Sequence, residues 1–418
     1  MTKSSRRIDD DRRSSMAGGR KNEVRQTARS IATVTGILII LGSAALFSAT
    51  STPLASEGEF PYSAILKHLA FLAVGIAIAT FISAALPKLP GQTVKFLIYF
   101  AFIVNAALLA ACFSPLGVEL NGARRWVNLG GIVFQPSEFL KITLVLLIAA
   151  VLIEGGRRSL RSFRSDRGDV FTLRRDRVIL AWAYIAIFLS VVLVAIQPDL
   201  GTTSIVLGTA LATLFLAGVP PVSIIKFVLV LILFAGLGLL AFPKKYHYAM
   251  ERIRTHFNPT EDVSGDAYQI TQSLAAISQA GIWGRGYMRS LQKMNRLPLH
   301  DRDFIFAVWV EETGVVGGLL VLCLFLYFAF LCLRISMMLP YGFESVAICA
   351  LGFNLALQAI INVSTNVGAL PVSGMTLPFF SSGGTSILVS MMIFGLIMGL
   401  TQRKLPGGAK ASQAANKG

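Results

Sequence analysis

Apolar stretches of about 20 residues, the length that crosses the hydrocarbon of a bilayer, follow one another through nearly the whole chain and leave few folds open. They lie roughly at 31–49, 65–86, 95–116, 138–154, 178–196, 202–218, 226–242, 304–333, 345–363 and 384–400. Inside hydrocarbon every backbone N–H and C=O needs an internal partner, which restricts a spanning chain to helices or a closed barrel. The strict apolar–polar alternation of barrel strands is absent, so the expected fold class is an all-α integral membrane bundle of about ten transmembrane helices. A composition of 54% hydrophobic and only 14% charged residues over 418 positions excludes an ordinary soluble domain.

The basic residues orient this bundle. Lys3, Arg6, Arg7, Arg12, Arg13, Arg20, Lys21, Arg25 and Arg29 precede the first span, and a second arginine cluster, Arg157 to Arg177, follows the fourth. With an even number of spans both clusters fall on one side, together with Lys88, Arg334, Arg403 and Lys404, and positive charge marks that side as cytoplasmic. Both termini are therefore expected in the cytoplasm. Residues 1–30 read as a disordered basic tail rather than a signal peptide, 31–404 as the membrane domain, 243–303 as a large extracytoplasmic loop between helices seven and eight, and 405–418 as a C-terminal tail. The net charge of +16 is chiefly this topology signal; it sits in juxtamembrane clusters with no folded basic domain, which argues against nucleic acid as a partner. Cys112, Cys323, Cys332 and Cys349 all lie within expected spans without metal-ligand spacing, so neither a disulfide framework nor a zinc site is suggested.

Three connections on the opposite side carry polar residues. The first, NGARRWVNLGGIVFQPSEFLKI from Asn121 to Ile142, places Arg124 and Arg125 where the charge bias disfavours them, with Trp126 suited to the headgroup level. Lipid headgroup contact and a clamp for an anionic head group both fit the arginine pair. Pro136 and Ser137 look like a helix start, Glu138 suits its first turn, and Lys141 one turn deeper could reach back to the interface. The second connection, QPDLGT, offers Asp199 either as a cap for Thr202 or as a partner for a base of the bundle interior. The third and longest, from about Pro243 to Asp303, is rich in lysine and arginine, with short helices expected near 246–257 and 267–280. In the latter Ile270, Leu274 and Ile277 form an apolar stripe that would lie on the membrane or over the bundle. Connections this long are uncommon unless they carry function.

The end of that loop, GRGYMRSLQKMNRLPLHDRDFIFAVWVEETG from Gly284 to Gly314, is the candidate active site. Asp303 stands at the outer end of a helix, where soluble nucleotides are unavailable, so a substrate must arrive already activated, as a lipid-linked diphosphate does. The surrounding cations would stabilise a departing pyrophosphate, and an aspartate would take the proton of an attacking sugar hydroxyl. Asn354, Gln358, Asn362 and Asn366 recur every fourth residue and give span nine one polar edge, equally suited to interhelical hydrogen bonds and to substrate. Glu311 and Glu312 are carboxylates at membrane depth and hence functional candidates, with structural pairing to a buried base as the alternative. The stretch Asn366 to Ser386, broken by proline and glycine, would re-enter and shape a cavity beside Asp303.

At these same residues the chain resembles the SEDS proteins of shape, elongation, division and sporulation. NGARRWVNLGGIVFQPSEFLKI, QPDLGT, the order of Gln292–Lys293, Leu297–Pro298 and DFIFA, and ALPVSGMTLPFFSSGGTSIL carry the resemblance, which runs from Ile31 to about Lys404. It implies a ten-helix bundle with both termini inside, polymerisation of lipid II into glycan strands, and partnership with a class B penicillin-binding protein and other division proteins in a bacterial cytoplasmic membrane. The aspartate before FIFA, Asp303, corresponds to the family's catalytic residue. Substrate contacts are expected from Arg124, Arg125, Trp126, Gln135, Glu138, Lys141, Asp199, Arg285, Gln292, Lys293, Arg302 and Glu311. Family members commonly spell the catalytic segment LPEAHTDFIFA where this chain has LPLHDRDFIFA, so Leu299, Asp301 and Arg302 stand for glutamate, histidine and threonine. Likewise SYGG is SSGG at Ser381 to Gly384, and the lysine of LPTKG is Ser373. The ARRW spelling and the basic tail lean toward the FtsW-like division branch over the RodA-like elongation branch.

Two other classes remain open on the residues alone, a flippase or transporter of lipid-linked precursor and a non-catalytic scaffold. No cofactor is evident, and the carboxylates at Glu138, Asp199, Asp301 and Glu311 are too scattered to argue a divalent cation site.

Overall fold

The computed structural model describes residues 3–51, 63–120, 123–155, 174–241, 250, 252, 254–256, 265–294 and 297–404. Among these, nine helices are long and apolar enough to cross a membrane, and a shorter apolar one, Leu200–Leu216, brings the bundle to the expected ten. We number the helices α1 (Lys3–Thr50), α2 (Ser63–Ala85), α3 (Gly91–Ala111), α4 (Pro136–Gly155), α5 (Arg174–Ile196), α6 (Leu200–Leu216), α7 (Pro221–Ala241), α8 (Asp266–Ala280), α9 (Ile305–Met338), α10 (Phe343–Asn366) and α11 (Gly384–Lys404). The basic N-terminal segment, expected to be disordered, continues α1 as helix from Lys3; no proline interrupts the chain before Thr50. The arginine cluster within 157–173, the expected helix at 246–257 for the most part, and the tail 405–418 lie outside the described residues.

Burial separates an inner from an outer set of helices. The apolar window of α4 is 83% buried and that of α10 is 72% buried, against 11% for α7 and 17% for α2, whose apolar side chains face outward as lipid-facing surfaces do. Helices α4, α6, α9, α10 and α11 pack around a core that includes Ile148, Val206, Phe325, Leu351 and Ile387. Ion pairs join helix ends, Arg334 of α9 to Glu23 of α1 at 2.8 Å and Lys404 of α11 to Glu344 of α10 at 3.2 Å.

One element lies outside the all-α expectation. The third span ends at Ala111, short of the expected 116, and Gly117–Leu120, Ala123–Leu129 and Ile132–Phe134 form an antiparallel sheet β1-β2-β3. Leu129 pairs with Ile132 across Gly130 and Gly131, both at positive φ (63° and 94°), so a two-glycine turn of the type that matches strand twist closes the second hairpin. Asn128 Oδ1 accepts from Gly131 N at 2.9 Å and braces it.

Helix α9 is broken at Gly314, where φ is 77° and an added Cβ would lie 2.1 Å from the carbonyl oxygen of Ile282. The carbonyls freed by the break accept from the loop: Glu311 O from Arg285 N and Glu312 O from Gly286 N, each at 3.0 Å. The segment 281–286 thus completes the helix's own backbone pairing. Above it, α8 packs on α9 through Ile270 and Ile277, which settles the apolar stripe as a bundle contact, while Leu274 stays 42% exposed.

Candidate active site

Asp303 closes the turn that leads into α9, and its carboxyl faces a cavity of about 390 Å³. The sheet supplies one wall. The ladder shifts register between Val118 and Glu119, which pair with Trp126 and Arg124 and leave Arg125 as the extra residue, so strict alternation fails here: Arg124 points outward, half exposed and paired with Glu119 at 3.3 Å, while the neighbours Arg125 and Trp126 both line the cavity. Arg125 Nε donates to Gln197 O at 3.1 Å, an Nη donates to Pro198 O, and its guanidinium stands 4.0 Å from Asp199.

Asp199 serves both expected roles. It caps α6, accepting from Thr202 N at 3.1 Å and from the Thr202 hydroxyl at 2.8 Å, and it accepts from Gln135 Nε2 at 3.0 Å while facing Arg125. Glu138, also on the cavity wall, accepts from Lys141 Nζ at 2.7 Å. Lys141 does not reach back to the interface. It is 1% exposed, because a second acceptor, Gln358 Oε1 of α10, waits for it at 2.8 Å inside the bundle.

The opposite wall comes from the segment that the proline and glycine breaks suggested would re-enter: Gly374, Met375 and Thr376, then Ser382 through Ser386 at the start of α11. Gly374 lies close enough that a Cβ there would stand 3.9 Å from Asp303 Oδ2. The polar edge of α10 ties these parts together. Asn362 Nδ2 donates to Asp303 O at 2.9 Å and to Met375 O, Asn366 Nδ2 donates to Asp303 O at 3.0 Å, and Gln358 Nε2 donates to Thr376 O at 2.9 Å. Asn354, deeper, donates to Thr209 Oγ1 of α6 at 3.1 Å. The four amides are scaffolding contacts in this structure.

Burial pushes the Asp303 carboxyl up to about 6; Arg302 and Arg252 pull it down, while Asp301 and Asp199 push it further up. A carboxylate of that proton affinity is ionised at neutral pH and still basic enough to accept a proton.

Of the expected substrate contacts, Arg125, Trp126, Gln135, Glu138, Asp199 and Arg302 line the cavity with Asp303. Arg124 faces away, and Lys141 stands behind Glu138. Arg285, Gln292, Lys293 and Glu311 do not line it. Glu311 accepts from Ser290 Oγ, from Leu291 N at 3.0 Å and from Gln292 N at 3.3 Å, and Arg285 approaches it at 3.8 Å. Lys293 is buried against Glu312 at 3.1 Å, Ser48 O at 3.1 Å and Met288 O at 2.9 Å. The loop cations thus neutralise two helix carboxylates and hold the loop to α1 and α9. Conversely, Arg252 lines the cavity and donates to Val372 O at 2.9 Å, a placement nothing in its sequence surroundings signals. Among the described residues no cluster of three or more metal-ligating side chains occurs.

The profile of the FtsW, RodA and SpoVE family, described as cell cycle protein, matches residues 28–405. The chain belongs to this family. A probable peptidoglycan glycosyltransferase FtsW of Synechocystis is 34% identical over 393 residues, covering 93% of each chain, and the stage V sporulation protein E of Bacillus subtilis is 32% identical over 377 residues, 88% of this chain and 95% of that protein. The fold resembles that of a chain solved in a study of how a peptidoglycan synthase complex coordinates polymerization and crosslinking, with TM-score 0.67, 24% identity and coverage of 90% and 97%. It also resembles the rod shape determining protein RodA of Thermus thermophilus, with TM-score 0.60, 23% identity and coverage of 90% and 97%.

Proposed function

We propose that this family member is a peptidoglycan glycosyltransferase that polymerises lipid II at the outer face of the bacterial cytoplasmic membrane, with Asp303 as general base. The hydroxyl of an acceptor sugar attacks the anomeric carbon of a donor; the carbon–oxygen bond to the diphosphate breaks, the proton passes to Asp303 and the diphosphate departs. The observation that carries this reading is the meeting, in one cavity, of a carboxylate with proton affinity near neutrality and three arginines, Arg125, Arg252 and Arg302, suited to developing phosphate charge. The other two wall carboxylates are engaged, Glu138 by Lys141 and Asp199 by Thr202 and Gln135. A single available base favours inversion at the anomeric carbon, by analogy with glycosidase geometry.

The basic ends of α1, α9 and α11, with Lys88, support a cytoplasmic assignment for both termini and an outer one for the cavity. Relatives named FtsW at 30–35% identity favour a role in division over elongation. The likeness to a chain of a peptidoglycan synthase complex supports a crosslinking partner of the class B penicillin-binding type.

Purified protein in lipid II-containing vesicles, with and without such a partner, tests the reading. Glycan strands from the wild type and their loss in Asp303→Asn support it. Lipid II carried intact across the vesicle with no strands formed would overturn it in favour of transport.

A further inference from the structure

The turn that carries Asp303 is fastened to the residues just before α11 by a set of bonds that the chemistry above does not use. Ser382 Oγ donates to Asp301 Oδ2 at 2.7 Å, and Ser382 N donates to Asp301 O at 2.9 Å. Next to them Ser381 Oγ donates to Arg302 O at 2.7 Å and accepts from Leu377 N at 2.8 Å. Two consecutive serines therefore reach two consecutive residues of the catalytic turn, immediately before Asp303. The turn needs such support, since Leu299 holds a left-handed backbone, φ 54°, which a branched side chain adopts only when its surroundings impose it.

Ser382 is placed to act as more than filler. It stands on the cavity wall, and so do the next residues, Gly383 and Gly384, the latter the first residue of α11. Asp301 and Ser382 bring a carboxylate and a hydroxyl together at 2.7 Å, 81 residues apart in the chain.

We propose that Asp301 and Ser382 form a latch, a pair of positioning residues that holds the Asp303 turn against the start of α11 and so fixes the base relative to the cavity wall formed by Ser382 to Ser386. The inference rests on the glycosyltransferase reading. The latch acts through its hydrogen bond and not chiefly through the charge of Asp301. That bond fixes the turn, and a misplacement of about 1 Å at a reacting group is enough to cost a large part of a rate.

Lipid II polymerisation by the purified full chain in vesicles, over a pH series, separates the alternatives. Ser382→Val keeps the size of threonine without its hydroxyl, so Ser382→Thr is expected to keep wild-type kcat while Ser382→Val loses about tenfold with KM within about twofold. Asp301→Asn keeps an acceptor for the hydroxyl and is expected to retain most of kcat. It nonetheless shifts the acid limb of the profile downward, because Arg302, Arg252 and Asp199 then face Asp303 without the charge of Asp301. Asp301→Ala is expected to match Ser382→Val, and Asp301→Ala/Ser382→Val to be no worse than either alone, since both remove one shared contact. Thermal melting of each variant confirms that it is folded, and for a variant that does not fold the Thr-versus-wild-type and Asn-versus-wild-type comparisons still decide. Equal activity of Ser382→Val and Ser382→Thr, multiplying losses in the double variant, or loss of kcat in Asp301→Asn or Ser382→Thr would overturn the latch. An inactive wild type, or an active Asp303→Asn, would instead overturn the reading of function beneath it.

Discussion

The side-chain amide of Asn362 donates to the main-chain carbonyl of Asp303 at 2.9 Å, and the same nitrogen reaches the carbonyl of Met375 on the facing wall. One side chain of α10 therefore ties the Asp303 turn to the neighbouring Gly374–Thr376 segment of the cavity wall. Asn362→Ala removes both bonds; Asn366 still reaches Asp303 O at 3.0 Å, whereas Met375 O has no second donor among the described residues. We expect a loss of stability of about 1–3 kcal/mol for the stranded acceptor and a fall in kcat of roughly 10- to 100-fold. Asn354→Ala, which breaks only the contact with Thr209, should lower the melting temperature and leave polymerisation unchanged. Melting and strand synthesis measured on both variants decide the matter, and equal activity losses would deny Asn362 its special place.

On the proposed role of Asp303 as general base, its proton affinity sets a pH limit on the reaction. A base whose carboxyl is pushed to about 6 is lost by protonation below that value, so kcat/KM should fall with an acid limb near pH 6. Arg302 holds the value down, hence Arg302→Gln should move the limb upward, to higher pH. A limb near pH 4 in the wild type would mean that the carboxyl is better solvated than its surroundings imply.

Burial also makes Asp303 costly to the fold. Its proton is held more tightly in the folded chain than at the ordinary value of 3.8, so the stabilising contribution of the protonated form is complete below about pH 4 and is lost as pH rises through 6. At pH 7.5 the ionised carboxylate therefore penalises folding, and Asp303→Asn should melt higher than the wild type, by about 1–3 kcal/mol, while losing roughly 10²- to 10⁴-fold in rate. At pH 4 the difference in melting should vanish. A variant less stable than wild type at both pH values would contradict this.

The helices and the place of Asp303 could be read along the chain because each has a local signal: apolar runs of bilayer length, and an aspartate at the mouth of one of them. The polar period of Asn354 through Asn366 was equally visible, but its destination was not, since a carbonyl at Asp303 brings no sequence mark of its acceptor role. The β2–β3 hairpin did carry a signal, Gly130–Gly131 between apolar residues, but its strands are too short to stand out from the apolar runs around them. Charge alone misled most. Lys293 and Arg285 resemble anion-binding residues in one dimension, yet Glu312 and Glu311 lie a helical stretch away in sequence and meet them in space. Arg252 shows the reverse, an arginine among many in a long loop that the fold brings to the cavity wall.

The same contrast yields a test of Lys293. Its ammonium is 1% exposed and bonded to Glu312, to Ser48 and to Met288 O, so Lys293→Met leaves the Glu312 carboxylate buried without its cation. Removing one partner of a buried pair costs about 3–5 kcal/mol because the other charge is stranded. The variant should melt well below wild type, and the loop between Gly284 and Met294 should become sensitive to added protease. Lys293→Met/Glu312→Gln should recover much of the loss, since the stranded charge is then gone while Ser48 and Ser290 N keep an acceptor. Because this seam lies away from the cavity, the fraction that remains folded should bind lipid II with KM within about twofold of wild type. A tenfold rise in KM at unchanged melting temperature would instead make Lys293 a substrate contact.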